Sequence, residues 1–192
     1  MDIERIKNGN TKYLAKNVVY YSEIGSTQDE IRKLAENNVT GGTLVITDNQ
    51  TSGHGTKGRT WNVEGGKNIT MSFVIYPDCE ISKLEGLTIK IAEAIVEAID
   101  ELYGYKLSIK EPNDIIINDK KISGILTQST TISEKVNYIL IGIGFNVNQT
   151  EFPLELENIA TSLKNEYGKT FKREDIIVEI LEKLENKIAD IL

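Results

Sequence analysis

The chain has one cysteine, Cys79, in 192 residues, so no internal disulfide can staple it, and a reducing compartment suits it. It has one histidine, His54, which stands without a second histidine, a cysteine pair or an obvious carboxylate partner. Metal coordination by His54 is therefore a weak reading, and a spacer or pocket-lining role is the better one. With no histidine near it in sequence, Cys79 is a poor nucleophile. No apolar segment approaches the roughly 20 residues needed to span a bilayer. The opening "MDIERIKNGN" is charged with no apolar run behind it, so no signal peptide is visible. Positive charge is scarce: the net charge is -7, which argues against a general nucleic-acid binder but leaves room for a local basic pocket and a small anion. There is no internal repeat, no low-complexity tract and no Pro/Gly-rich linker. What remains is a chain 40% hydrophobic, long enough to bury a sizeable core in a single domain. The reading is one soluble, cytoplasmic domain.

"VVYYSEI" (18–24) is rich in β-branched and aromatic residues and predicts a strand. "GSTQDEIRKLAENN" predicts a helix, N-capped by Ser26 or Thr27 with Asp29 or Glu30 closing a capping box, and Ile31, Leu34 and Ala35 as its buried stripe. "TLVIT" (43–47) and "NITMSFVIYP" (68–77) read as strands. Ile91, Ile95, Ile99 and Leu102 fall at helical spacing within 87–103, and Gly104 stops that helix. "KLSIK" leads into "EPND", and "IIINDKKISGILTQ" resembles a hairpin turning at Asn118-Asp119. "VNYILIGIGFNVN" (136–148) is the most apolar strand and is expected at the centre. "REDIIVEILEKLENKIADIL" closes the chain as an amphipathic helix, with Ile177, Ile180, Leu181, Leu184 and Ile188 on one face. Consecutive strands with three flanking helices indicate an α+β domain with a mixed or antiparallel sheet.

The loop "TSGHGTKGRTW" (51–61) gathers three glycines, two cations and the sole histidine and tryptophan. Gly53, Gly55 and Gly58 permit positive φ and close backbone approach. Successive N–H groups in such a loop can cradle an anion. Arg59 can fork onto phosphate or carboxylate oxygens, and Trp61 offers a flat face to a ring. By composition alone, a flexible hairpin loop anchored by tryptophan explains the stretch as well. It is neither a Walker A loop nor a dinucleotide fingerprint, since no Gly-Lys-Ser/Thr ends it and strand follows. In "KEPNDIIINDKKISGIL", Asp114 opens a strand, a poor place for a carboxylate without a role, although Pro-Asn-Asp is also an ordinary turn. Asn146 and Asn148 alternate to one face of an apolar strand end, as satisfied buried amides or as base-reading ones.

"GSTQ", "GHGTKGRTW", "KEPND", "KKISGIL" and "GIGFNVN" stand in the order and at the spacing found in biotin–protein ligases, the BirA-type catalytic domain. The resemblance runs from about Val18 to the closing helix. It implies a core like that of class II aminoacyl-tRNA synthetases and an AMP-forming carbon–nitrogen ligase. ATP and biotin would be substrates, with Mg²⁺. The modified partner would be a biotin-carrier domain of a biotin-dependent carboxylase or decarboxylase. Carried over residue by residue, Ser26, Thr27 and Gln50 would hydrogen-bond the ureido ring of biotin. Gly53, Gly55 and Gly124 would let backbone close over the ligand. Arg59 would grip the phosphates and Trp61 would pack on adenine. Asp114, with Asn113 adjacent, would help hold Mg²⁺ and the adenylate. Lys121 would lie between the biotin carboxylate and the α-phosphate, and Asn146 would read the adenine edge.

This chain departs from the family pattern at two motif positions. Thr56 stands where the family has arginine (GxGRxxR), and Glu111 where it has the tryptophan of KWPND. The whole of 1–192 reads as the catalytic domain alone, without the family's C-terminal SH3-like domain or an N-terminal helix-turn-helix. No DNA and no membrane partner is expected, and a homodimer is left open. A lipoate-type ligase of the same fold and a non-catalytic biotin- or adenylate-binding module are the rival readings.

Overall fold

Seven strands form one sheet: β1 (Val18–Ile24), β2 (Leu44–Gln50), β3 (Ile69–Ile75), β4 (Ser108–Lys110), β5 (Asp114–Ile117), β6 (Lys120–Ile132) and β7 (Lys135–Phe145). The structure is a computed structural model and describes residues 1–61 and 63–192. The strand order is β1-β2-β3-β7-β6-β5-β4, so the most apolar strand does sit at the centre. β1 pairs in parallel with β2, and the remaining pairs are antiparallel. The sheet is therefore mixed, as expected. Among the described residues, no helix is long and apolar enough to cross a membrane.

The three expected helices are α2 (Thr27–Glu36), α3 (Leu87–Tyr103) and α5 (Arg173–Lys187). Two more, α1 (Ile3–Lys7) and α4 (Leu163–Tyr167), have five residues each, too few for a helical period to show in sequence. The turn at Asn118-Asp119 has φ of 48° and 63°, the left-handed pair that a two-residue hairpin needs, and Ile117 faces Lys120 across it. Gly104 ends α3 at φ 70°. Ser26 is the cap of α2, its Oγ accepting from Asp29 N–H at 3.3 Å. The expected capping box gives way to other partners. Glu30 accepts from the Tyr21 hydroxyl at 2.9 Å, and Asp29 faces His54 Nε2 at 2.9 Å. Sequence distance hid that carboxylate partner of His54.

Side-chain alternation gives the sheet two different faces. On one, Met71, Phe73, Ile141, Ile143 and Phe145 meet Ile91, Ile95 and Ile99 of α3 and Ile177, Ile180 and Leu184 of α5 in the main core. On the other, Val45, Val74, Tyr138 and Leu140 pack under Ile31 and Ala35 of α2, in a smaller cluster that covers only part of the sheet. The uncovered part holds the site.

The segment before β1 is fastened to α5 by one carboxylate. Glu185 accepts from the backbone N–H groups of Lys12, Tyr13 and Leu14, the last two at 2.8 Å. Burial works to raise the Glu185 pKa, but the three donors, with Lys16 nearby, outweigh it and hold the carboxyl below its ordinary range. A depressed carboxylate stabilises the fold above the unfolded pKa and loses that contribution as pH falls through the folded one. Glu185→Gln should therefore cost about 1–2 kcal/mol near pH 7, kept modest by partial exposure. Urea unfolding should show the gap between the proteins closing below roughly pH 4; a gap that widens there would contradict this role.

Candidate active site

The cavity exists because the sheet face beyond α2 is nearly bare of side chains. Thr70 of β3, Gly144 of β7 and Gly124 of β6 lie abreast in register, and Ser72, Gly142 and Leu126 form the next row. Toward α2 the rows fill again with Val74, Leu140 and Gln128. Glycines at alternate positions of β7 thus sink a floor into the sheet, leaving a cavity of about 200 Å³. Its walls come from the start of α2, the glycine loop, Asn113, β6 and residues 152–160.

Trp61 lies flat over the glycine rows. A Cβ on Gly144 would stand 2.3 Å from its Cε2, and one on Gly124 would stand 3.2 Å from its Cζ3. The loop reaches that point as a small hairpin, with Gly55 N–H donating to Arg59 O at 2.6 Å and Trp61 N–H to Gly53 O at 3.0 Å. The glycines serve it differently from the sequence expectation. Gly58 adopts positive φ (72°) and so does Lys57 (57°), whereas Gly53 and Gly55 are outside that region. Gly53 is needed for close approach: a Cβ there would sit 2.2 Å from Gln50 Nε2 and 2.6 Å from Trp61 O.

One end of the cavity is a neutral polar cluster. Gln50 Oε1 accepts from Thr27 N–H at 2.9 Å and from its hydroxyl at 3.3 Å, and Thr27 Oγ1 lies 2.9 Å from Ser72 Oγ. Ser26, Thr27 and Gln50 are all buried. The other end is cationic. Lys121 Nζ sits 2.6 Å from Asp114 Oδ1 and 5.4 Å above the Trp61 ring. Arg59 folds back on its own loop, donating from Nε to Thr56 O at 3.3 Å and from Nη2 to Thr56 Oγ1 at 2.9 Å.

Of the residues expected in a site, Ser26, Thr27, Gln50, Gly55, Arg59, Trp61, Asn113, Lys121, Gly124 and Asn146 line this one cavity. Gly53 and Asp114 do not line it: Gly53 packs against Gln50 and Trp61 O, and Asp114 is paired with Lys121. The two strand-end asparagines part ways. Asn148 is a structural clamp, donating to Phe171 O and accepting from Phe171 N–H, both at 2.9 Å. Asn146 donates to Thr161 O at 3.0 Å, but its buried Oδ1 has no hydrogen-bond partner among the described residues. Trp61 Nε1 and Gln28 Oε1 are left in the same condition. Three buried polar atoms around one cavity thus offer hydrogen-bonding capacity that no described residue takes up.

Sequence reasoning passed over Gln28, Gly142, Gly144 and the wall of Phe152, Leu156, Ile159 and Ala160. The "GIG" of β7 was a legible signal, since alternating glycines in an apolar strand mark close approach. The wall was not legible. It reaches the site because Lys121 N–H donates to Ile159 O at 2.8 Å and Thr161 N–H to Lys121 O at 2.9 Å.

Among the described residues, no group of three His, Cys, Asp or Glu could hold a metal on protein ligands alone. Asp114 beside Asn113 does fit the usual Mg²⁺ mode, in which one or two carboxylates share the ion with substrate phosphates and water.

A polar-ended cavity, floored by glycines and roofed by a cation-bearing loop, makes this an α+β domain built around a small-molecule site. The chain belongs to the biotin/lipoate A/B protein ligase family, whose sequence pattern matches residues 21–146. Within it, the chain is 40% identical over 182 residues to the bifunctional ligase/repressor BirA of Bacillus subtilis, covering 94% of this chain and 56% of that protein. The biotin protein ligase of Aquifex aeolicus, solved with biotin and ATP, superposes with TM-score 0.77 at 31% identity over 91% of this chain and 71% of that one. The Leishmania major biotin protein ligase, solved with biotinyl-5-AMP, gives TM-score 0.73 at 26% identity over 91% and 75%. The chain thus spans little more than half the length of the Bacillus relative.

Proposed function

We propose that this domain activates biotin with ATP and transfers it to a lysine of a biotin-carrier domain, the chain acting as a single catalytic domain. The observation that carries this reading is the polarity of the cavity: a neutral cluster of hydrogen-bonding groups at one end, and Lys121 beside an aromatic platform at the other. Such a cavity suits a ligand with an uncharged polar ring, an apolar body and an anionic tail.

In this reading the ureido ring of biotin lodges against Ser26, Thr27 and Gln50, which sends its carboxylate toward Lys121. The ammonium draws the carboxylate and the α-phosphate of ATP together, lowering their mutual repulsion as they approach. A carboxylate oxygen attacks the α-phosphorus, the bond to the β-phosphate oxygen breaks, and pyrophosphate leaves. Arg59, freed from Thr56, turns to the phosphates, while Trp61 and Asn146 hold the adenine. Mg²⁺, held by Asp114 with Asn113 adjacent, would neutralise phosphate charge. In the second half, the carrier lysine attacks the mixed anhydride at the biotinyl carbonyl, forming an amide and releasing AMP. The proposal assigns this domain no DNA contact, because a net charge of -7 disfavours a general nucleic-acid surface. Pyrophosphate release on mixing protein, ATP and biotin tests the first half. A pure binding module would release none, and a lipoate-type enzyme would release it with lipoate instead.

Thr56 leads to a measurable consequence. An arginine there would add a charge-assisted contact over the adenylate, and it would remove the hydroxyl on which Arg59 now rests. Retention of a reactive intermediate is governed by its off-rate. Thr56→Arg should therefore slow leakage of biotinyl-5′-AMP by about tenfold, or ~1.4 kcal/mol. The readout is biotinylation of a bystander protein by both versions. Equal labelling would mean that the loop holds its intermediate by other means.

A further inference from the structure

Thr161 is buried just past the wall of residues 152–160, and three of its groups are engaged at once. Its N–H donates to Lys121 O at 2.9 Å, completing the short parallel bridge between Lys121 and Ala160. Its carbonyl accepts from Asn146 Nδ2 at 3.0 Å. Its hydroxyl donates to Glu166 Oε1 of α4 at 2.6 Å, and Asn118 Nδ2, in the β5–β6 turn, donates to Glu166 Oε2 at 2.7 Å. One carboxylate thus ties the turn that precedes Lys121 to the segment that follows the wall. Neither Thr161 nor Glu166 is among the residues that line the cavity.

The amide of Asn146 depends on this arrangement. A side-chain amide can present its oxygen or its NH₂, and the neighbouring group decides which. Flipping Asn146 would set its oxygen against Thr161 O, one acceptor facing another. Thr161 therefore commits the NH₂ and leaves Oδ1 as the unpartnered end, on a residue that does line the cavity. The bridge to Lys121 and the bond to Glu166 fix where Thr161 O stands. Of the two, the hydroxyl–carboxylate bond belongs to the stronger, charge-assisted kind.

We propose that Glu166, acting through Thr161, is a positioning residue for the nucleotide end of the site: it sets the Asn146 amide with its acceptor toward the ligand. The inference rests on the biotin-ligase reading above, in which Asn146 holds the base. It adds that preference for a purine bearing an amino group, over one with a carbonyl at that position, is enforced from outside the cavity. A carbonyl there would face Asn146 Oδ1 and leave two buried acceptors unsatisfied.

Initial rates of pyrophosphate release with biotin and either ATP or inosine triphosphate, which carries a carbonyl in place of the amino group, test this. The wild type should favour ATP by about 10- to 100-fold in kcat/KM. Thr161→Val replaces the hydroxyl with a methyl group, and Glu166→Ala removes its acceptor. Each should cut the ATP preference by about fivefold to tenfold, because the freed amide can turn its NH₂ to the carbonyl purine. The double variant should lose no more than either single one, since both break the same bond. Thr161→Ser keeps the hydroxyl and should keep the preference. Glu166→Ala, at a partly exposed position, carries the test if Thr161→Val does not fold. A lowered melting temperature with an unchanged ATP preference, in variants that fold, overturns the assignment and leaves the biotin reading intact. A wild type that uses both nucleotides equally overturns it too. No pyrophosphate from the wild type with ATP and biotin would instead overturn the biotin reading itself.

Discussion

Lys121→Ala should lower the initial rate of pyrophosphate release from ATP and biotin by about 100-fold or more, equivalent to roughly 3 kcal/mol of lost charge stabilisation. In the proposed reaction a carboxylate and a phosphate meet beside Lys121, whose Nζ lies 2.6 Å from Asp114 Oδ1 and 5.4 Å from the Trp61 ring. Read from sequence, a hairpin lysine has little structural duty. The ion pair with Asp114 gives it some, and losing the cation leaves Asp114 Oδ1 without its counter-charge. That should cost about 1–2 kcal/mol of stability, short of what unfolds a domain of this size. Circular dichroism at 25 °C should then match the wild type while the rate collapses. Equal initial rates would remove Lys121 from the chemistry.

Gly144→Ala should be nearly as damaging, although it adds a single methyl group to a strand. Its Cβ would lie 2.3 Å, 2.6 Å and 2.7 Å from three atoms of the Trp61 indole, distances that no relaxation of a few tenths of an ångström can absorb. The ring must lift, taking the proposed nucleotide platform and the contact with Lys121 with it. A displacement near 1 Å in a positioning group can cost on the order of 100-fold in rate. Trp61 is the only tryptophan, so its emission reports on the same event. A rise in KM for ATP and a fall in kcat should accompany a shift in emission. Unchanged kinetics with unchanged emission would show that the indole does not rest where the activity needs it.

The elements whose sequence carried a full period were legible. Seventeen residues of α3, with isoleucines on one face and a glycine stop, announce themselves, and so does the apolar β7. The same reasoning found the Asn118-Asp119 turn, because both residues tolerate left-handed backbone. It stopped β6 short at Gln128, since "STTISEK" is polar and that hairpin extends beyond the core to an exposed Ile132, turning at Ser133 with φ 57°. At the site, residues inside compact motifs could be named from sequence, but their partners could not. The His54–Asp29 pair spans 25 positions, and the approach of Ile159 to Lys121 joins segments that carry no shared pattern. The orientation of Gln28 depends on an arginine and a glutamine brought together by α2 crossing the sheet, a fact of packing rather than of local sequence.

The central claim is that this chain couples biotin to a lysine through an adenylate. Mass spectrometry of a biotin-carrier domain incubated with the protein, ATP and biotin tests it most directly. One biotinyl group should appear on one carrier lysine, with pyrophosphate and AMP formed alongside and no addition when ATP is withheld. An unmodified carrier with no pyrophosphate, in the presence of both substrates, would contradict the account and leave a binding domain in its place.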